Sequence, residues 1–419
     1  MKTLDLLAQN ALLKDRHILL LVSGSIAVYK SLDLVRAFIK MGAKVKVVMS
    51  QQAVRFVAPL SFEALSHYPV LTHKSEHWDL SDPNCPNHIS YAKWAEVVLV
   101  APASANTLAK LAHGLADQLL SATFLASHAP KILAPSMNTQ MLEARATQEN
   151  LARLRSWGCK IIEPREDLLA CNTQGKGAMA DILELVCASV QALYKNNFWA
   201  GKKVVVSGGG SLEKIDSVRY ISNFSSGLQA SALALALYFW GAEVSLVASA
   251  FPLDLPAGIG RLSVQSGVDF LQTLQERANR QDPPFLFMLA AISDYKPTTP
   301  HKGKLKKQDL GASWSLECVQ NVDILASLEG FIKIGFKAEE GGTLAITNAR
   351  KLLDSPQNGG KGCLAVCLNT LDSQPFGSEQ NQMWFLSAQH SQHTKYLNKL
   401  TLSFEILNFV SQVCHAQSH

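Results

Sequence analysis

Three segments in the first half of the chain carry groups suited to proton transfer and carboxylate recognition: Asn87-His88-Ile89-Ser90, Pro135-Ser136-Met137-Asn138-Thr139-Gln140-Met141, and Ala170-Cys171-Asn172-Thr173-Gln174-Gly175-Lys176-Gly177. An imidazole and a thiol can each pass a proton, and a carboxamide hydrogen-bonds a carboxylate. Each residue also has a purely structural use: His88 near the start of a strand, Asn138 as the cap of a helix from Thr139, Cys171 as small core filler. In the second half, Arg219 and Asn223 lie within Ile215-Asp216-Ser217-Val218-Arg219-Tyr220-Ile221-Ser222-Asn223-Phe224-Ser225-Ser226-Gly227. Lys304-Leu305-Lys306-Lys307 is a cation cluster expected beside Asp294, suited to an anionic ligand. The structural counterparts are a solvated basic loop for the lysines and a cap ahead of Ser226 for Asn223.

Rigid elements must position these groups. The apolar run Ile18 to Val22 leads into Ser23-Gly24-Ser25-Ile26-Ala27, after which Val28, Leu32, Val35 and Ile39 recur at helical spacing up to Gly42. Further strands are predicted at Val45 to Met49, Val97 to Val100 and Lys131 to Ala134, with helical segments around Thr107 to Leu125 and Thr139 to Trp157. Strands apolar on both faces that alternate with helices imply a parallel sheet covered on both sides. Polar residues and glycine interrupt the pattern between Tyr194 and Gly201, and a new cycle opens with Lys203 to Ser207 and Gly208-Gly209-Gly210. A helix from Ser226 to Trp240 follows, with strands near Val244 to Ala248, Phe285 to Ala290, Phe331 to Phe336 and Cys363 to Leu368. The expected division is 1–195 and 196–419, two α/β domains.

The Gly24-Ser25-Ile26 turn offers backbone N–H groups and a hydroxyl at a helix N-terminus, where an anion is favoured. Ala101-Pro102-Ala103-Ser104-Ala105-Asn106-Thr107 likewise follows a buried strand and opens a helix with small and hydroxylated residues. Two such turns at adjacent strand ends can hold one phosphorylated cofactor. The 419 residues are 47% hydrophobic, enough for more than one core, which excludes general disorder. The 39 basic and 34 acidic residues are spread without long like-charge blocks, so the net +5 does not announce nucleic acid. Eight cysteines without a CxxC pair read as reduced cytoplasmic thiols rather than a disulfide or zinc framework. Ile18 to Val22 is far shorter than the ~20 apolar residues of a membrane span, so no anchor is expected.

Together the first-half segments resemble the flavin-dependent cysteine decarboxylases, whose pattern has a His-Ile-Ser, a Pro-Ala-Ser/Thr-Ala-Asn, a Pro-x-Met-Asn-x-x-Met and a flap bearing Ala-Cys-Gly. The resemblance implies a flavodoxin-like parallel sheet and FMN held by Gly24, Ser25, Ile26, Ser50, Ser104 and Asn106. It also implies that Asn138 contacts the substrate carboxylate, His88 assists proton transfer near the flavin, and Cys171 donates a proton to an enethiol. The chemistry suits these groups. Charge left on the α-carbon of an acylated cysteine by loss of CO2 has no sink until the thiol is oxidised to a thioaldehyde, whose C=S accepts it.

The second-half run from Ile215 to Gly227 resembles the signature of phosphopantothenate-cysteine ligase. Ala290-Ala291-Ile292-Ser293-Asp294-Tyr295-Lys296-Pro297, Lys304 to Lys307, Asn321-Val322-Asp323-Ile324-Leu325 and Gly335-Phe336-Lys337-Ala338-Glu339 match its later motifs in order. This implies a Rossmann-like ligase domain that contacts CTP through Asp294, Lys304, Val322, Asp323, Ile324, Leu325, Phe336, Lys351 and Lys361. Arg219 and Asn223 would handle an acyl-cytidylate and its capture by cysteine, with Lys304 also serving catalysis and Mg2+ accompanying CTP. No metal ligands are assigned.

The two resemblances join in the bifunctional coenzyme A biosynthesis family, from Ser23 to Asn369. The implied substrates are 4'-phosphopantothenate, cysteine and CTP, with neither nucleic acid nor membrane as partner. The implied assembly is a homo-oligomer of trimeric decarboxylase and dimeric ligase domains, up to a dodecamer. The chain departs from the pattern at Asn172 (usually Gly), Ala178 (Arg), Leu212 (Arg), Leu228-Gln229 (Lys-Met), Val322 (Pro) and Lys337 (Ala), and in extra residues between Lys351 and Lys361. Two other readings compete. A prenyl-FMN synthase-like flavoprotein would need neither Asn138 nor the Cys171 flap, and a flavin-binding decarboxylase or regulator would carry a degenerate ligase half.

Overall fold

The computed structural model describes residues 2–79, 85–370, 378 and 380–417, in two compact units, residues 1–194 and 195–419. In the first unit, buried His17–Val22 (β1) runs through the turn at Gly24 into Val28–Lys40 (α1), whose buried face is Val28, Ser31, Leu34, Val35 and Phe38. Lys44–Met49 (β2), His88–Trp94 (α2), Val97–Ala103 (β3), Ala105–Ala112 (α3), Leu119–Ala126 (α4) and Lys131–Pro135 (β4) follow. Thr139–Glu143 (α5), Arg145–Ser156 (α6) and Lys160–Ile161 (β5) complete a five-stranded parallel sheet in the order β2-β1-β3-β4-β5. β3 is buried at every position, as a strand covered on both faces must be. A separate antiparallel hairpin, Arg165–Leu168 (β6) with Gln174–Ala178 (β7), carries Cys171 at its tip, and Ile182–Tyr194 (α7) closes the unit.

Two predicted helices are each divided. The segment around Thr107 to Leu125 breaks after His113 because Gly114 adopts a left-handed φ of 66° and ends α3. The segment from Thr139 to Trp157 breaks at Ala144, whose extended ψ of 133° ends α5 and opens α6. His88 begins a helix and not a strand: Asn87 caps α2 through Ser90, with each side chain accepting from the other's backbone N–H.

The second unit opens with Lys203–Gly208 (β8) and continues with Leu228–Phe239 (α8), Glu243–Ala248 (β9), Gly260–Ser263 (β10), Gly267–Gln275 (α9) and Phe285–Met288 (β11). Ile324–Ser327 (α10), Ile332–Glu339 (β12), Thr343–Arg350 (α11), Ala365–Thr370 (β13), Trp384–Leu386 (β14), Ser391–His393 (β15) and Lys399–Gln417 (α12) follow. The eight-stranded sheet runs β10-β9-β8-β11-β12-β13-β14-β15, parallel as far as β13 and antiparallel beyond. α8 is buried all round from Ala230 to Phe239, which explains its apolar, Ala/Leu-rich sequence without a polar face. Cys85, Cys187 and Cys367 are buried free thiols, and Cys85 donates to the carbonyl of His77. Asp82-Pro83-Asn84 lies outside the described residues. Among the described residues no helix is long and apolar enough to cross a membrane.

Candidate active site

In the first unit the predicted groups other than His88 converge at the carboxyl ends of β1, β3 and β4, where the strand order reverses and an open-sheet fold leaves a crevice. Ser23 fixes the two turns: its hydroxyl donates to the Pro102 carbonyl at 2.8 Å and accepts from the Ser104 N–H at 2.8 Å. Gly24 must lack a side chain, because a Cβ there would lie 2.4 Å from Cβ of Gln52. The resulting cleft, about 330 Å³, is lined by Gly24, Ser25, Ser50, Ser104, Asn106 and Thr107 among others. Ser50 and Ser104 cap short helices through Ala53 N and Thr107 N, whereas Ala27, ahead of α1, provides no side-chain cap. This set of hydroxyls and helix N-terminal donors fits a phosphate group, and thus FMN in its phosphate end. Ile26 falls in the adjoining cleft.

That cleft, about 440 Å³, shares Ser25, Ser136 and Met137 with the first and extends to Asn138, Leu169, Cys171 and Met179. Ser25 and Ser136 hydroxyls stand 3.1 Å apart where the two meet. Asn138 does two things at once: Oδ1 accepts from Gln140 N at 2.9 Å, capping α5, while Nδ2 donates to Cys171 Sγ at 3.2 Å. Thr173 Oγ1 lies 2.9 Å from the same sulfur. The hydrogen bonds from Thr173 and then Asn138 hold the exposed Cys171 thiol below its ordinary pKa. Thr173 is the neighbour that sequence reasoning passed over. The hairpin tip turns at Asn172, whose φ of 57° is left-handed, so asparagine, tolerant of that region, replaces the usual glycine without losing the turn.

His88 is elsewhere. It lines neither cleft; its Nδ1 sits 2.7 Å from Glu76 Oε1, and the indole edge of Trp78 packs against its ring. Within one chain the structure brings Asn138 to Cys171 but not His88 to either.

In the second unit, Asp294, Val322, Asp323, Ile324, Leu325, Phe336 and Lys361 do line one open cleft, about 560 Å³, at the carboxyl ends of β11 and β12. Asp323 caps α10 through Ala326 N and meets Lys361 Nζ at 2.5 Å. Burial works against the charged Asp323, but Lys361 and the Ala326 N–H outweigh it and hold the carboxyl below its usual range. Buried Lys333, on β12, donates to the carbonyls of Leu325 and Lys361 at 3.0 and 3.1 Å, tying the two loops together. Burial lowers its pKa. Glu213, also buried, accepts from Gly267 N and Asn321 Nδ2, while Asn321 N donates to the Asp294 carbonyl at 2.7 Å. Neither lysine nor glutamate was singled out from sequence, since a buried charge looks like a surface one until its partners are known.

Asn223 borders a second cleft, about 550 Å³, with Gly209, Leu228 and Glu339; its Nδ2 donates to the Ile292 carbonyl at 3.0 Å, so it is no helix cap. Three assigned groups do not join these clefts. Lys304 and Arg219 line a separate open groove with Lys306 and Lys307, so the expectation of lysines beside Asp294 is corrected: the loop is anchored away from it, with Arg219 donating to the Leu305 carbonyl and Leu305 N donating to Asp216 at 3.1 Å. Lys351 ends α11 and donates to Asn348 Oδ1 at 3.2 Å.

Comparison with known proteins shows the family. Residues 7–194 match the flavoprotein family, and residues 199–413 match the DNA/pantothenate metabolism flavoprotein C-terminal domain. The coenzyme A biosynthesis bifunctional protein CoaBC of Bacillus subtilis is 36% identical over 411 residues, covering 96% of this chain and 98% of that protein. The chain belongs to the CoaBC family. Its counterpart in Vibrio vulnificus is 35% identical over 405 residues, covering 94% and 97%. A solved structure of a PPC decarboxylase mutant complexed with pantothenoylaminoethenethiol is 33% identical, covers 42% of this chain and 97% of its own, and has a TM-score of 0.37. This CoaBC-family member is accordingly a bifunctional enzyme of coenzyme A biosynthesis, with a flavoprotein decarboxylase half and a ligase half.

The Thr173 contact yields a prediction. If Cys171 is the proton donor, activity falls as pH rises through its lowered pKa. Thr173→Val removes the largest stabiliser of the thiolate and should move the alkaline limb of the decarboxylation profile to higher pH. A pH–rate profile of decarboxylation checks this, and an unmoved limb would separate Thr173 from the titrating group.

Proposed function

We propose that the second unit joins 4'-phosphopantothenate to cysteine at the expense of CTP and that the first decarboxylates the product to 4'-phosphopantetheine. The observation that carries the reading is the Asn138–Cys171 contact in the cleft that adjoins the hydroxyl-lined one. In it, Gly24, Ser25, Ser104 and Asn106 receive the FMN phosphate, with Ile26 and Ser50 at the margins. When bound, FMN would supply the two-electron oxidation that turns the substrate thiol into an electron acceptor for decarboxylation and, once reduced, would return the hydride that completes reduction of the enethiol. Asn138 Nδ2 is then placed to hold the substrate carboxylate, while Cys171 Sγ delivers a proton to the enethiol. The flap glycines keep backbone, not side chains, against Met137 and Thr139.

In the ligase half the nucleotide occupies the cleft of Asp294, Val322 to Leu325, Phe336 and Lys361. The pantothenate carboxylate attacks the α-phosphorus, an acyl–phosphate bond forms and pyrophosphate leaves; the cysteine nitrogen then attacks the acyl carbon, the C–O bond to phosphate breaks, CMP leaves and the amine proton passes to solvent. Mg2+ enters with the triphosphate. Lys304, Arg219 and His88 lie outside their clefts in a single chain, so we assign them to sites completed by a neighbouring copy, in a trimer of decarboxylase and a dimer of ligase units. The enzyme works in the cytoplasm.

The test is pyrophosphate release from CTP and phosphopantothenate, with and without cysteine, alongside the visible spectrum of the purified protein. Release and flavin absorbance are expected. Absence of release with flavin present would favour a decarboxylase or flavin-binding regulator with a degenerate ligase half, and a colourless protein that takes up no added FMN would remove the decarboxylase reading.

A further inference from the structure

The two clefts of the second unit meet along a short border made of Ala290, Ile292, Asp294, Phe336 and Lys337, the residues that line both. One cleft holds Asp323 and Lys361, the other Asn223 and Glu339. Among the described residues lining them, Lys337 is the one cation common to both. It sits near the carboxyl end of β12, opposite Leu368 of β13, and its ammonium is 3.0 Å from Glu339 Oε1, with both side chains a little under a third exposed. Glu339 lines only the second of the two clefts, so the pair draws the ammonium toward the side where Asn223 stands.

Resting on the reading above, we propose that Lys337 is a substrate-binding cation of the ligase site, contacting the anion formed where nucleotide and acyl group join. The chemistry demands a charge there. A carboxylate approaching the α-phosphate of a nucleotide brings two anions together at the border of their binding sites, and the pentavalent centre gathers further negative charge as pyrophosphate departs. Of the other cations that line the clefts, Lys361 faces Asp323 at 2.5 Å and lines only the first, and Lys399, on α12, lines only the second. Lys333 spends its donors on two carbonyls.

Glu339, two residues on along the strand, orients the ammonium and yields it to the stronger anion when substrate arrives.

The experiment compares Lys337→Ala, Lys337→Arg and the unaltered chain by steady-state pyrophosphate release at varied phosphopantothenate and varied CTP, without cysteine and with it. Decarboxylation of supplied phosphopantothenoylcysteine, which uses the other unit, reports folding. Lys337→Ala should lose roughly 10²-fold in kcat/KM for pyrophosphate release, while Lys337→Arg keeps most of it. The decarboxylation rate should be unchanged in both. Equal kinetics for Lys337→Ala and the unaltered chain would overturn the assignment while leaving the ligase reading intact. Equal losses in the alanine and arginine variants would also overturn it, because charge would not be what matters. No release by the unaltered chain would remove the ligase reading and this assignment with it.

Discussion

Replacing Cys171 by serine is expected to leave the protein yellow with FMN but to lower phosphopantetheine formation by about 10²–10⁴-fold, the usual worth of a positioned proton donor. The side chain stands at the tip of the β6–β7 hairpin, exposed, with Asn138 Nδ2 at 3.2 Å and Thr173 Oγ1 at 2.9 Å. Serine preserves the size and the hydrogen bonds, yet its hydroxyl gives up a proton far less readily than a thiol whose pKa is already lowered. Oxidation and loss of CO2 do not use that proton. The variant should therefore release CO2 and accumulate the enethiol, separating Cys171 from the earlier steps. CO2 measured against phosphopantetheine in a single turnover checks this, and an unchanged rate of product formation would take Cys171 out of its role.

A comparable effect is expected from Gly177→Ala, a substitution remote from any proton. The Met137 N–H donates to the Gly177 carbonyl at 3.0 Å, fastening the hairpin to the segment that bears Asn138. A Cβ at position 177 would lie 2.1 Å from the Met137 carbonyl oxygen, a backbone atom that no rotamer change can move away. The two strands of chain must part, and the Asn138–Cys171 contact parts with them. Misplacement of about an ångström in a reacting constellation costs ~10²-fold. Decarboxylation should drop by that order, whereas FMN absorbance and pyrophosphate release by the other unit persist. Full decarboxylase activity in this variant would show that the hairpin's fastening to Met137 does not orient Cys171.

Legibility differed between the halves for a physical reason. Asn138 and Cys171 are 33 positions apart but each lies in a short motif whose neighbours are also constrained, Gly175 and Gly177 by close approach and Asn172 by a left-handed backbone. Their sharing of one site was implied by the resemblance those motifs carry. Lys304 illustrates the opposite case. Its motif is equally compact, but whether it faces Asp294 depends on the loop between them, and hydrogen bonds from Leu305 N to Asp216 and from Arg219 to the Leu305 carbonyl carry that loop to a different groove. His88 was placed near a strand because nothing in its sequence announces that Asn87 and Ser90 would cap each other and start a helix.

Alternation of apolar strands and helices settled two α/β units from residue order alone, because a strand buried on both faces leaves a continuous apolar run and a turn at its end needs small residues. The resemblance of the chain's motifs to two known families implied the pairing of a flavoprotein half with a ligase half. Only the folded chain decided which charges are buried and bound, as with Lys333 and Glu213. A side chain's charge is written in its type, but its electrostatic role depends on distances between residues far apart in sequence, and these are set by packing.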